Sequence, residues 1–193
     1  MNRSSTGVIR TVALVLCLAS VPANAADQIL TPRGLGSVKI GMTVAQAEKA
    51  LGAKLKPLDK TDGVSVESCW ETHRTDNPDP AVSYMVWYGK IVRIAIDRYD
   101  KEENWETVPP FATDKGIRIG SADAHVREAY GKSLSVRPHP EANDENDDTM
   151  VVMTVLTNRR SGIAFETGSK KVSTFRAGLA KAIRMTEGCF KDW

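Results

Sequence analysis

Two stretches of this 193-residue chain match at one fixed offset. Val38-Lys39-Ile40-Gly41 and Ile117-Arg118-Ile119-Gly120 stand 79 residues apart, and the same step carries Ala45 to Ala124, Ala50 to Ala129, Gly52 to Gly131, Leu55 to Leu134 and Gly89 to Gly168. Three of the matched pairs are glycines suited to turns, and recurrence at one period marks a repeated supersecondary unit. Two units of about 80 residues account for nearly all of the chain after residue 25.

Each unit opens with an apolar-basic-apolar step into glycine and continues into a short helix. In the first, Thr43 and Gln46 have capping-box spacing, and Gly52 stops the helix, since a left-handed residue there costs glycine nothing. Ala47, Ala50 and Leu51 share one face, as do Val126, Ala129 and Tyr130 in the second unit, which starts at Ser121 and Asp123 and stops at Gly131. Strand-type segments follow: near Leu55, around Val64 to Trp70 and Val82 to Ile96 in the first unit, then Leu134 to Val136, Met150 to Leu156 and Ile163 to Arg176 in the second. The expected fold is therefore α+β, two tandem units of one helix plus an antiparallel sheet. The first repeat covers 26–98, a linker with Pro109-Pro110 covers 99–115, and the second repeat with a C-terminal tail covers 116–193. Ala177 to Glu187 fits helix by propensity and strand by alternation.

Register follows from burial, because a slip of one residue turns every side chain over. With Tyr88-Gly89-Lys90 as a three-residue loop, Val86 faces Val92, Tyr84 faces Ile94 and Val82 faces Ile96. With Gly168-Ser169 as a two-residue turn, Phe165 faces Val172 and Ile163 faces Thr174. That apolar face meets the helix. The other face of the first unit carries Met85, Trp87, Ile91, Arg93 and Ala95, and is expected to be open. Ala164 and Glu166 stand at the places matching Met85 and Trp87, so the scaffold itself does not demand an indole there. Met85, Trp87, Ile91 and Arg93 form the candidate partner-binding patch.

Residues 1–25 read as a secretory leader: Arg3 and Arg10 give a basic start, Thr11 to Val21 an apolar run, and Ala23-Asn24-Ala25 a small-x-small cleavage site. The run is about half of the roughly 20 residues that a membrane span needs. Leu16 precedes Cys17, where lipid-attachment signals want Gly, Ala or Ser. Cleavage after Ala25 takes two of the 26 basic residues and none of the 24 acidic ones, leaving a neutral mature chain. Neutrality argues against nucleic acid or an anionic membrane as partner, and no stable membrane insertion is expected. Two cysteines remain, Cys69 and Cys189, and in an oxidising compartment they are expected to pair.

No catalytic, cofactor or metal motif stands out. His73, His125 and His139 lack zinc-ligand spacing, and there is no nucleophile elbow, phosphate loop or His-Glu-x-x-His. The acidic loop Glu141 to Asp148 sets Asp144, Asn146 and Asp148 at alternate positions, like the first ligands of a calcium loop. It then carries Thr149 where the turn glycine belongs and Val155 where the bidentate glutamate belongs. A solvated charge run is the reading. Trp70, beside Cys69, is expected to pack over the disulfide.

Lys39-Ile40-Gly41-Met42-Thr43, followed by Gln46 and Leu51-Gly52, resembles the opening of the small outer-membrane assembly lipoprotein of the BamE type. The tandem arrangement resembles the beta-lactamase inhibitory protein. The resemblance implies a periplasmic or secreted protein that binds other proteins through its sheet surface without catalysis. The chain departs from the lipoprotein in having two copies and no lipid-attachment cysteine, and from the inhibitor in placing one cysteine in each half, so no inhibitory-loop residue carries over. The functional expectation is an exported, non-enzymatic, cofactor-free protein-binding module of the cell envelope. The rival is a periplasmic hydrolase or small-ligand binder using the groove between the two units.

Overall fold

Strand dominates the fold: 48% of the described residues are strand and 17% helical. The computed structural model describes residues 28–57, 68–76, 80–98, 108–142, 149–186 and 188–189. The leader and residues 143–148 of the acidic loop lie outside the described residues. A small sheet comprises β1 (Ile29–Thr31), β2 (Gly34–Leu35), β3 (Val38–Lys39) and β8 (Ala112–Thr113), in the order β3-β2-β1-β8. The large sheet contains β4 (Leu55–Pro57), β5 (Cys69–Arg74), β6 (Val82–Trp87), β7 (Lys90–Asp97), β9 (Leu134–Pro138), β10 (Val151–Asn158), β11 (Ser161–Gly168) and β12 (Lys171–Leu179). Its order is β4-β5-β6-β7-β12-β11-β10-β9, antiparallel throughout. The two α-helices among the described residues are α1 (Val44–Leu51) and α2 (Asp123–Tyr130).

This architecture overturns the expected α+β fold of two helix-plus-sheet units. The strands of both halves form one sheet of eight, because β7 pairs with β12 through Thr174↔Asp97, Arg176↔Ala95 and Gly178↔Arg93. An open edge carrying Ile94, Ala95 and Ile96 would invite foreign pairing, and the seam removes it. Gly178 lets the strands meet: a Cβ there would lie 2.1 Å from the Val92 carbonyl oxygen. Of the small sheet only β3 falls in the step into Gly41 that the sequence marks, since strands of two or three residues carry almost no periodic signal. It reaches into the segment expected to be a linker, as β1 pairs with β8 in parallel.

Local signals hold at the helices. Thr43 and Gln46 form a reciprocal capping box, the Gln46 N–H donating to Thr43 Oγ1 (3.2 Å) and the Thr43 N–H to Gln46 Oε1 (2.9 Å), and Gly52 ends α1 at φ 66°. Each helix entrance is tied to the hairpin that follows it in its half. The Val44 N–H donates to Gly89 O (3.1 Å) and the Asp123 N–H to Lys170 O (2.9 Å). Ala47 and Val126 are the buried residues of the two helices, and they share one core with Tyr84, Ile94, Ile96, Met153, Phe165 and Phe175 of the large sheet. The Phe165 and Phe175 rings lie 6.4 Å apart, centre to centre.

Both hairpin registers need correction at their tips. Val82↔Ile96 and Tyr84↔Ile94 stand as expected, but a bulge after Met85 pairs Val86 with Ile91 and Trp87 with Lys90. The loop is thus Tyr88-Gly89, at φ 46° and 72°, and its fellow is Ser169-Lys170, at φ 50° and 61°, in place of Gly168-Ser169. Positive φ at both central residues is the turn whose twist suits a hairpin. The second bulge, after Glu166, pairs Phe165 with Phe175 and Ile163 with Ala177. A bulge adds one residue to a strand, which alternation counted from the turn does not detect.

Candidate functional site

The face of the large sheet turned away from the helices is where the partner-binding patch was expected. The structure covers it. Beyond β12, residues 180–186 fold back as a strap containing a 3-10 turn, Ala182–Arg184, and residues 188–189 end at a disulfide between Cys189 and Cys69 with a Cα–Cα distance of 5.8 Å. Cys69, Met85, Val92, Ala182 and Cys189 form a second, smaller core beneath it, with Trp87 and Leu179 against its side. Met85 is 1% exposed, Arg93 5% and Ala95 4%, so the expected open face is closed. Ile91, placed on that face by the sequence, lies fully buried in the helix-side core because of the bulge. Trp87 is half-buried, with its indole N–H 2.8 Å from Cys69 Sγ and the Lys181 ammonium 5.7 Å from its ring centre. The indole at the disulfide is thus Trp87. Trp70, one residue from Cys69, points to the opposite face by strand alternation and packs on the helix-side core.

Two buried arginines hold the strap. From β7, Arg93 donates through Nη1 to the carbonyls of Met185 (2.7 Å) and Ala182 (3.3 Å) and pairs through Nη2 with Glu71 of β5. From β12, Arg176 donates through Nε to Ile183 O (2.7 Å) and pairs with Glu166 of β11. His139 extends this second cluster, its Nε2 lying 3.6 Å from Glu166 Oε2 while Nδ1 accepts the Glu141 N–H at 3.2 Å. Within this short turn the Met185 N–H reaches only Ala182 O (3.3 Å), and the planar guanidinium forks supply donors to that carbonyl and to those of Ile183 and Met185. Gly188 gives the strap its close approach: at φ 72°, a Cβ would come 2.8 Å from Glu71 Oε2. Burial pulls the Arg93 pKa down, with Glu71 opposing. Burial pushes Asp97, beside the cluster, upward, against the Thr174 hydroxyl bond and the Arg93 charge.

Toward its far edge the same face is uncovered. A groove of about 600 Å³ lies there between strap and sheet, lined by Ser133, Ser135, Arg137, Thr154, Leu156 and Arg184. Arg137 donates through Nη2 to the Arg184 carbonyl (3.0 Å), so strand and strap meet at the groove. Neither guanidinium has a carboxylate partner among the described residues. A smaller cavity of about 410 Å³ opens beside α1, between Leu35, Leu51, Val82, Tyr84 and Phe111, with Arg74 at its rim. The groove expected between the two units coincides with the hydrogen-bonded β7–β12 seam.

Of the histidines, His125 is exposed on α2, His73 half-buried in β5 and His139 in the Glu166 cluster, and among the described residues no three His, Cys, Asp or Glu side chains gather as a metal site. Sequence reasoning places Arg93 on an open binding face, where the structure makes it a strap anchor, and does not single out Arg176 or the groove. The signal for the two anchors was there: Arg93 and Arg176 each interrupt a run of apolar residues, where an arginine is either exposed or fully partnered. No family matches the chain, and no curated protein or solved structure is significantly similar to it.

Proposed function

We propose that the chain is an exported, non-catalytic protein-binding module of the bacterial cell envelope, at work in the periplasm after removal of residues 1–25. The Cys69–Cys189 disulfide supports an oxidising destination, since such bonds persist outside the reducing cytoplasm. No described helix is long and apolar enough to cross a membrane. The observation that carries the binding role is the groove at the uncovered end of the sheet, where Arg137 and Arg184 stand together without acidic partners among the described residues. Arginines in a concave, partly apolar setting are the usual anchors of protein recognition. The contact surface moves accordingly, away from Met85, Trp87, Ile91 and Arg93 and toward β9 and β10. A photo-crosslinking residue at Val136, on the exposed β9 edge, tests this in the intact envelope. Capture of a defined protein that a crosslinker at exposed His125 of α2 does not capture is the expected result; equal capture from both sites, or none, defeats the reading.

A further inference from the structure

The groove runs beside a strand whose outer edge pairs with no other strand among the described residues. There β9 pairs with β10, in the register Val136↔Met153 and Ser135↔Thr154, and the His139 N–H donates to Met150 O (3.0 Å). Antiparallel ladders alternate between residues that exchange bonds with their partner and residues that turn both groups away. Counting back from His139, Arg137 and Ser135 bond inward to β10, whereas Pro138, Val136 and Leu134 face outward. Pro138 has no N–H to offer, and the Leu134 N–H is taken by the Gly131 carbonyl. The outward set is therefore the Val136 N–H and the carbonyls of Leu134, Val136 and Pro138. This accepts one short incoming strand, centred opposite Val136.

The side chains of such a strand are equally constrained. Its central residue would lie beside Val136, which is 39% exposed and shares the helix-side face with Met153. The residues before and after it fall on the other face, beside Ser135 and Arg137 and toward Arg184 across the groove. We propose that β9 and its groove take an acidic extended peptide of a partner protein, with an acidic-apolar-acidic triplet at its centre, added as a ninth strand to the large sheet. This rests on the protein-binding reading above and names the partner's chemistry. Backbone bonds to Val136 supply the docking, and the two guanidiniums choose carboxylates.

The test uses fluorescence anisotropy with the intact, oxidised protein and a labelled synthetic decapeptide carrying Glu-Val-Glu at its centre. Saturable binding that weakens with salt is expected. Arg137→Glu with Arg184→Glu should lower affinity at least about tenfold and transfer preference to a Lys-Val-Lys peptide. Methylating the central amide nitrogen of the Glu-Val-Glu peptide, which leaves the protein untouched, should cost at least about tenfold as well. The proposal is overturned if no binding occurs up to about 1 mM, or if a Glu-Glu-Val or N-methylated peptide binds equally, which would mean an anion site without strand addition. It is also overturned if the protein dimerises through β9 in sedimentation and Val136→Lys abolishes the dimer. Capture from residue 136 without peptide binding would sink the acidic-strand inference alone, leaving the module reading in place.

Discussion

Replacing Arg93 with methionine tests the strap's attachment at its most demanding point. The side chain keeps similar volume, but the carbonyls of Met185 and Ala182 lose donors at 2.7 and 3.3 Å, and Glu71, 20% exposed, loses its counter-charge. Hydrogen bonds to charged groups contribute about 1.5 to 3 kcal/mol each, and removing one partner of a buried pair costs about 3 to 5 kcal/mol in all. For a chain of this size the melting temperature should fall by roughly 6 to 20 °C. The companion variant Glu71→Gln removes the orphaned charge, so in the double variant part of the loss should return, with a coupling of about 1 to 3 kcal/mol. Urea unfolding of the oxidised protein measures all three, since neither change touches the disulfide. A loss under about 1 kcal/mol for Arg93→Met, within the range of surface substitutions, would refute the account of Arg93 as a strap anchor.

Other outcomes follow from the same face. Peptide mapping without reductant should recover Cys69 joined to Cys189, and Cys189→Ser should lower stability by up to about 5 kcal/mol in the chain-entropy treatment of a loop of 120 residues; unchanged urea midpoints would contradict this. Trp87→Ala should cost about 3 kcal/mol, as loss of a packed aromatic does. A change within 0.5 kcal/mol, as at an ordinary surface position, would show that the indole is not packed. Asp97 has its folded-state pKa raised by burial, so its contribution to stability is present below the ordinary carboxylate range and lost as pH rises through the raised value. Asp97→Asn should therefore stabilise the protein at pH 7, and the advantage should shrink in acid. Parallel stability profiles from pH 3 to 8 would count against it.

Legibility in the sequence followed the range of the forces involved. Thr43, Gln46 and Gly52 were readable because a cap is settled within one turn of chain, and Val82↔Ile96 because both faces of one hairpin lie within fifteen residues. Cys69 and Cys189 were paired by elimination. The β7–β12 seam was not readable, since nothing in Ile94-Ala95-Ile96 distinguishes a strand paired on one side from a strand paired on both. The open face failed for a related reason. Alternation correctly separated Met85 and Arg93 from the helix side, but a strap from ninety residues further along occupies that side, and its grip is made of carbonyls that every sequence possesses. Arg137 and Arg184 were invisible as a pair because their proximity depends on the same return of the chain.

The seam also sets a timetable. Ribosomes add roughly 5 to 20 residues per second, and Arg93 of β7 precedes its ladder neighbour Gly178 by 85 positions. The first half of the sheet must therefore wait on the order of 4 to 17 s before its bare edge finds a mate, with Cys69 unpaired throughout. Any factor that attends this protein during its synthesis or export has that interval in which to act, and the backbone of β7 is what it would have to shield.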